Sequence, residues 1–295
     1  MEIGKQYNKD DEFKRQARFH QSKYRVDVLN VECDEYGNML KEGDGRKGLN
    51  FYSDFNILAA VYERFGKKYR KQLYSNLLRS EHIPFNFFIP LRFDLEFGKK
   101  VLNEFVSDTI KEIISIKIEY APEPAENYLN DRTSFDTFIK FKHTDNQIGI
   151  LGIEVKYSEQ SYTLKKGSKE EEDIDVKSQK SKYWKITNNS GLFVKGVEQK
   201  LIQDNFRQIW RNQLLGESIK QKEKISHFTS ITVYPSGNLH FSNILTKYRE
   251  CLIVKNSIIG ITYENYFEAL KKHSIDSRFD HWITYLKERY LIAAE

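Results

Sequence analysis

Two short apolar segments joined by a polar turn constrain this chain more than any other feature. The first is Thr133-Ser-Phe-Asp-Thr-Phe-Ile-Lys-Phe141; the second is Ile148-Gly-Ile-Leu-Gly-Ile-Glu-Val-Lys-Tyr157. Both are rich in Ile, Val, Phe and Thr and bounded by turn residues, which predicts β-strands. Alternate residues of a strand face opposite sides. Phe135, Thr137, Ile139 and Phe141 are thereby placed on one face of the first strand, and Asp136 on the other. In the second, Leu151, Ile153 and Val155 share a face, and Glu154 and Lys156 project together from the opposite one. A hairpin turn at His143-Thr-Asp-Asn-Gln147 lays the strands antiparallel. The start of the first then lies beside the end of the second, and Asp136 is expected next to Glu154 and Lys156.

Two carboxylates and an ammonium on a rigid sheet have a definite chemical use. Hard divalent cations such as Mg²⁺ bind through one or two carboxylates together with water and substrate phosphate. Such an ion polarises a phosphodiester and activates water, and a lysine orients that water and offsets developing charge. The bare Glu-x-Lys pattern is common where 30% of residues are charged: Glu12-Phe-Lys14 and Asp175-Val-Lys177 also fit it. Neither of those ends an apolar strand beside an acidic neighbour. The competing reading of the central site is a solvated sheet edge carrying an ordinary ion pair.

A chain of 295 residues with 20 Phe and 18 Tyr has ample material for a core and is not disordered throughout. The formal charge of +5 is compatible with a polyanionic partner but too small to demand one. Cys33 and Cys251 are the only cysteines, with no Cys/His cluster. That argues against a disulfide scaffold or structural zinc and for a reducing cytoplasm. The polar N-terminus has no apolar signal core, and no run approaches the roughly 20 apolar residues of a membrane span. A soluble cytoplasmic protein is expected. No Gly-rich phosphate loop and no G-x-S-x-G motif occur, which leaves a small-molecule enzyme without support.

Along the chain, residues 11–30 predict an amphipathic helix, and Phe55, Leu58, Ala59, Tyr62 and Phe65 predict another. Arg64, Lys67, Lys68, Arg70 and Lys71 follow, interleaved with Tyr69 and Tyr74. This is the densest basic-aromatic stretch, suited to a phosphate backbone or to a solvated helix face. Leu77 to Leu91, with two prolines, reads as a buried irregular crossing. Helical spacing runs over Leu95–Ile113, and Ile114–Tyr120 reads as a strand with Ile114, Ile116 and Ile118 on one face. Residues 158–195 form a polar insertion whose charge run at 167–175 reads as a mobile loop. The strongest helix spans Val197 to Ile219, where Leu201, Asn205, Gln208 and Asn212 follow one edge and Gln208 can face a polar site. His227 to Tyr234 reads as a fourth strand, and helices are expected around 264–273 and 279–291.

Eight blocks in order carry a wider likeness. They are Arg15-Gln-Ala-Arg-Phe-His-Gln-Ser-Lys-Tyr-Arg25, Gly48-Leu-Asn-Phe51, Pro84-Phe-Asn-Phe-Phe88, Glu119-Tyr-Ala-Pro122, Ser134-Phe-Asp-Thr-Phe-Ile139, Gly152-Ile-Glu-Val-Lys-Tyr-Ser-Glu159, Arg207-Gln-Ile-Trp-Arg-Asn-Gln-Leu-Leu215 and Val233-Tyr-Pro235. Over nearly its full length the chain resembles a family of bacterial restriction-endonuclease proteins of the PD-(D/E)XK type. The resemblance places Asp136, Glu154 and Lys156 on the motif's acid, acid and lysine. Gln208 falls on a helix glutamine that many members set beside the site. Glu81 and Glu119 are possible further metal ligands, and nothing in the sequence selects between them. Glu119 has alternatives in Lys117 or Arg132 as ion-pair partners.

The expected fold is therefore α/β: a restriction-endonuclease-like core with a mixed central sheet of about four strands flanked by helices, plus helical N- and C-terminal additions. One nuclease domain is expected over 1–295, with an N-terminal helical region over 1–94, a catalytic core over 95–235 and a C-terminal helical region over 236–295. The implied activity is Mg²⁺- or Mn²⁺-dependent cleavage of nucleic acid, foremost double-stranded DNA, in bacterial defence. Asp136 and Glu154 would hold the metal, Lys156 the water, and Gln208 would support them. Lys67, Lys68, Arg70 and Arg211 are the expected phosphate contacts, and a homodimer or a defence-system partner protein is compatible with this. The alternatives are an RNase or structure-specific nuclease, and a non-cleaving nucleic-acid-binding or partner-recruiting subunit.

Overall fold

The computed structural model of the protein describes all residues except 132, 161–163, 165, 179 and 293–295. Its centre is a five-stranded mixed sheet, one strand more than expected, in the order β1-β2-β3-β4-β5. The strands are β1 (Ile110–Tyr120), β2 (Phe135–His143), β3 (Ile148–Val155), β4 (His227–Tyr234) and β5 (Ile258–Thr262). β1, β2 and β3 pair antiparallel, whereas β4 joins β3 in parallel and β5 joins β4 in parallel. The expected hairpin is present: Thr137 faces Ile153, and Ile139 faces Leu151.

The longer helices are α1 (Glu12–Tyr24), α2 (Ile57–Phe65), α3 (Leu95–Asn103), α4 (Lys182–Asn189), α5 (Asp204–Glu223), α6 (Leu239–Arg249), α7 (Tyr263–His273) and α8 (Ser277–Tyr290). Several start where a short polar side chain caps the first turn. Asp11 accepts from the Lys14 amide, Asp94 from Phe97, Ser181 from Trp184 and Asp276 from Phe279. Two apolar layers cover the sheet. One joins Ile139, Phe141, Leu151, Ile153 and Val155 to α2, α3, α7 and α8. The other joins Phe138 and Ile150 to α4, α5 and α6. The N- and C-terminal helices thus share one layer. No helix among the described residues is long and apolar enough to cross a membrane.

Several expectations are corrected. The helix expected over Leu95–Ile113 ends at Asn103, because the Asn103 side chain takes up the Ile110 amide at 3.0 Å and its carbonyl at 2.9 Å. Strand β1 then begins at Ile110 and carries a register shift between Ile113 and Ser115. Ile116 and Ile118 are buried together as expected, but ahead of the shift the alternation is offset, so Ile113 joins them in the core and Ile114 is 45% exposed. Phe135 leaves the face of Ile139 and Phe141 and packs with Phe138 and Phe228 in the other layer. Its ring occupies the space over Gly152, where a Cβ would meet it at 2.3 Å.

The buried crossing at 77–91 contains a helix, Ile83–Phe88, since Pro84 sits in its first turn where no amide is needed. The charge run at 167–175 includes a short helix, Lys169–Asp173, capped by Ser168. β5 brings a stretch of the C-terminal segment, expected to be helical, into the sheet.

Candidate active site

The antiparallel register of β2 and β3 brings Asp136 beside the end of β3. There its Oδ2 accepts a 2.7 Å hydrogen bond from the Val155 amide. Residues on either side of Val155 point to Asp136's face of the sheet. Lys156 Nζ lies 2.6 Å from Glu154 Oε1, and both side chains are largely buried. The backbone of Lys156 is held on both sides. Its amide donates to the Val233 carbonyl at 2.8 Å, and its carbonyl accepts from the Tyr263 hydroxyl at 2.7 Å.

Helix α5 crosses this face and closes the site from above. Gln208 Nε2 donates to Glu154 Oε1 at 2.6 Å, and one turn on, Asn212 Nδ2 donates to Oε2 at 2.7 Å. Both oxygens of Glu154 are thereby oriented. Close approach of α5 to the sheet depends on Gly216, where a Cβ would overlap the Phe228 ring at 1.9 Å. The space enclosed by Glu154, Lys156, Gln208, Asn212 and Thr232 is about 10 Å³, room for no more than a single water.

Glu119, near the end of β1, joins the cluster. Its backbone has φ +53°, a left-handed conformation unusual for a residue with a side chain and costing about 1–2 kcal/mol. Ser134 Oγ donates to its carboxylate at 3.3 Å, and Arg64 Nε donates to its carbonyl at 2.9 Å. Arg64 and Glu119 border a cleft of about 320 Å³. Arg64 also lines a second cleft, of about 720 Å³, with Tyr128, Asp131 and Ser134. Glu119 thus lies partly buried at the border of a cleft that Arg64 also lines.

The electrostatics follow from this packing. Burial, then the charge of Glu154, pushes the Glu119 carboxyl up to about 7. Burial, then Glu154 and Glu119, drives the Asp136 carboxyl well above the usual range, against the pull of Lys156 and the Val155 amide. Burial alone would lower Lys156, but Glu154, Asp136 and Glu159 outweigh it and raise it, so it stays an ammonium. Glu159 accepts from the Ser80 amide at 2.9 Å, the Ser80 hydroxyl at 3.0 Å and the Tyr157 amide at 3.1 Å. Burial opposes its ionisation, yet Lys156 and these amides hold it below the usual glutamate value.

Asp136, Glu154, Lys156 and Gln208 are thus brought together. Of the two further acids, Glu119 acts directly on Asp136, whereas Glu81 pairs with Arg79 at 3.2 Å and bears on Glu119 from outside. Lys117 lies over the Tyr120 ring rather than beside Glu119, and Arg132 lies outside the described residues. Lys67, Lys68 and Arg70 are at the surface, with Arg70 stacked on Phe65. Arg211 is half-buried and ion-paired with Glu170 at 3.2 Å.

Two contacts escaped sequence reasoning. Asn212 had a signal, its one-turn spacing from Gln208. Glu159 had none, because its partner Ser80 lies 79 residues away.

Asp136, Glu154 and Glu119 lie close enough together that burial, and then their mutual repulsion, raises the carboxyls of Asp136 and Glu119. An all-oxygen donor set with surplus negative charge fits a hard divalent cation. No curated protein and no solved structure matches the chain significantly. A comparison with protein families, by contrast, matches residues 8–292. With that match covering nearly the whole of a chain whose sheet carries Asp136, Glu154 and Lys156 at one site, this protein belongs to the PD-(D/E)XK nuclease superfamily.

Proposed function

We propose that the protein hydrolyses phosphodiester bonds in double-stranded DNA as a Mg²⁺- or Mn²⁺-dependent endonuclease, with residues 1–295 acting as one nuclease domain. The observation that carries this reading is the 2.6 Å pairing of Lys156 with Glu154 beside Asp136 at the end of one hairpin. Asp136 and Glu154 would hold the cation, with Glu119 as the third acid and Glu81 outside it. The cation, when bound, supplies Lewis-acid polarisation of a phosphoryl oxygen. Asp136 commits one oxygen to Val155 and keeps the lone pairs of the other.

Lys156 remains charged, so its role is to donate hydrogen bonds and offset negative charge on the attacked phosphate, not to accept a proton. Gln208 and Asn212 keep Glu154 oriented through the reaction. Arg64, with the surface residues Lys67, Lys68 and Arg70 after it, offers a cationic approach to the Glu119 cleft. Arg211 contributes less while paired with Glu170. Cleavage of both strands needs two sites, which a homodimer would supply. The setting that fits such an enzyme is bacterial cytoplasm, in defence against foreign DNA.

The test is a plasmid-cleavage assay with Mg²⁺, Mn²⁺ and EDTA arms, run beside Asp136→Ala, Glu154→Ala and Lys156→Ala. Cutting lost in EDTA and in all three variants supports the mechanism. Activity surviving Glu154→Ala removes that residue from its role. RNA and branched DNA in parallel arms separate the substrate classes. Metal-dependent binding without cleavage of any of them would establish a non-cleaving nucleic-acid-binding subunit instead.

A further inference from the structure

The far end of the same hairpin carries a second cluster that the nuclease chemistry does not use. His143 is the last residue of β2, Asp145 lies in the turn, and His227 is the first residue of β4. One ligand-capable atom from each lies within 4.8 Å of the others. His143 Nδ1 is 2.9 Å from Asp145 Oδ1, and His227 Nε2 is 2.7 Å from Asp145 Oδ2. The two imidazoles stack with centroids 3.8 Å apart and planes 13° from parallel. At about 3.3 Å of rise per residue, the seven residues from Asp136 to His143 put this cluster roughly 20 Å from the carboxylate site.

We propose that His143, Asp145 and His227 form a second metal site, which takes a borderline divalent cation such as Zn²⁺ and clips β4 to the β2–β3 hairpin. Two imidazoles and one carboxylate suit zinc-like ions, in contrast to the all-oxygen set at Asp136, which suits Mg²⁺. The spacing is close to what such an ion needs. Bonds of about 2.0–2.2 Å at tetrahedral angles set neighbouring ligand atoms roughly 3.3 Å apart. The two nitrogens now meet different oxygens of Asp145, so taking an ion requires the stacked rings to tilt apart until both nitrogens aim at one point. The partial exposure of Asp145 and His227 leaves room for that and for water in the fourth position.

The turn already orients the carboxylate: the Gln147 amide donates to Asp145 Oδ1 at 2.8 Å. Such outer contacts sharpen a metal site. The clip would also have structural work to do. β4 is parallel to β3 and reached only through the long crossover that contains α5, so its start meets the hairpin by tertiary pairing alone, with His227 opposite Gly149. In the polypeptide itself, Ser226 N to Ile148 O at 3.1 Å holds that junction. An ion at His227 would close the crossover beside it.

The competing reading is a hydrogen-bonded His-Asp-His cluster that takes no metal. The full chain, stripped of metal, is titrated with Zn²⁺ against a chelating dye as wild type, as His227→Ala, as His227→Gln and as Asp136→Asn/Glu154→Gln. His227→Gln keeps a hydrogen-bond donor for Asp145 but no ligand nitrogen. Expected is one Zn²⁺ equivalent that persists in the carboxylate double variant. In both His227 variants it is weakened by more than roughly 100-fold, beyond the cost of losing an outer partner alone. In the carboxylate double variant, Zn²⁺ and not Mg²⁺ should raise the unfolding midpoint, and adding His227→Ala or His227→Gln to it should abolish that response. Equal Zn²⁺ affinity in wild type and His227→Gln, or, in the carboxylate double variant, no Zn²⁺ effect on the midpoint or an equal effect of Mg²⁺, overturns the proposal. These readouts need no cleavage, so they stand apart from the nuclease reading.

Discussion

The carboxylate of Asp136 on β2 caps the backbone amide of Val155 on β3 at 2.7 Å. This single bond sets Asp136 between Glu154 and Lys156, whose side chains leave the strand on the same face. It also explains why a buried acid is tolerated there: one oxygen is satisfied by the sheet itself, and the charge is balanced from Lys156. What the sheet does not balance is the repulsion from Glu154 and Glu119.

Opposite signs of stability change are expected from removing the two kinds of charge. In EDTA, Lys156→Met leaves the buried carboxylates without their ammonium and should destabilise the fold by roughly 3–5 kcal/mol, less what solvent screens. Asp136→Asn keeps the Val155 contact and relieves like-charge repulsion, so it should raise stability. Urea unfolding midpoints of the two variants against wild type check this; a stabilised Lys156→Met would contradict the electrostatic account.

Glu119 predicts a pH dependence. Its carboxyl titrates near 7 in the metal-free fold, against 4.5 for an ordinary glutamate. Between those values the folded protein keeps a proton that the unfolded chain has lost, so stability falls as pH rises from 4.5 to 7 and then levels. Glu159, held low, acts the other way: its contribution is lost as pH falls below the ordinary glutamate value. A stability maximum near about pH 5 is therefore expected in EDTA. Saturating Mg²⁺ or Glu119→Gln should flatten the decline toward neutral pH, as read by thermal unfolding across that range.

Asn212 should matter to turnover through its hydrogen bond to Glu154. Asn212→Ala releases Oε2 and should lower cleavage by about 10–100-fold while raising the Mg²⁺ concentration needed for half activity. Gln208→Ala should behave similarly, and the double variant should cost less than the product of the two, because both act on one carboxylate. Strict multiplicativity would separate their roles.

Gly152 is a tight point in the strand that carries the site. A Cβ there would stand 2.3 Å from the Phe135 ring, so Gly152→Ala should cost about 1–3 kcal/mol of stability. Phe135 precedes Asp136 and Gly152 lies two residues before Glu154, so cleavage should fall with it. Pairing the substitution with Phe135→Leu should recover some of the stability, which a denaturation series can read.

Much of the site was legible in the chain because its signals are local. The pleat has a period of two, and a short polar turn allows only a few hairpin registers, so Asp136, Glu154 and Lys156 could be placed together from spacing alone. The helical edge containing Gln208 and Asn212 was visible for the same reason, although only Gln208 was singled out. The rest depended on pairings that no local pattern encodes. A left-handed residue at 119, at the end of β1 beside β2, accompanies the placement of Glu119, and not Glu81, where its charge acts on Asp136. The Asn103 side chain ended a helix that periodicity alone extended. β5, only five residues long, became a strand by pairing with β4. Periodicity is a property of neighbours along the chain and can be read from it. Which distant segments meet is decided by packing and backbone hydrogen bonding across the whole fold, and only the tertiary structure displays that choice.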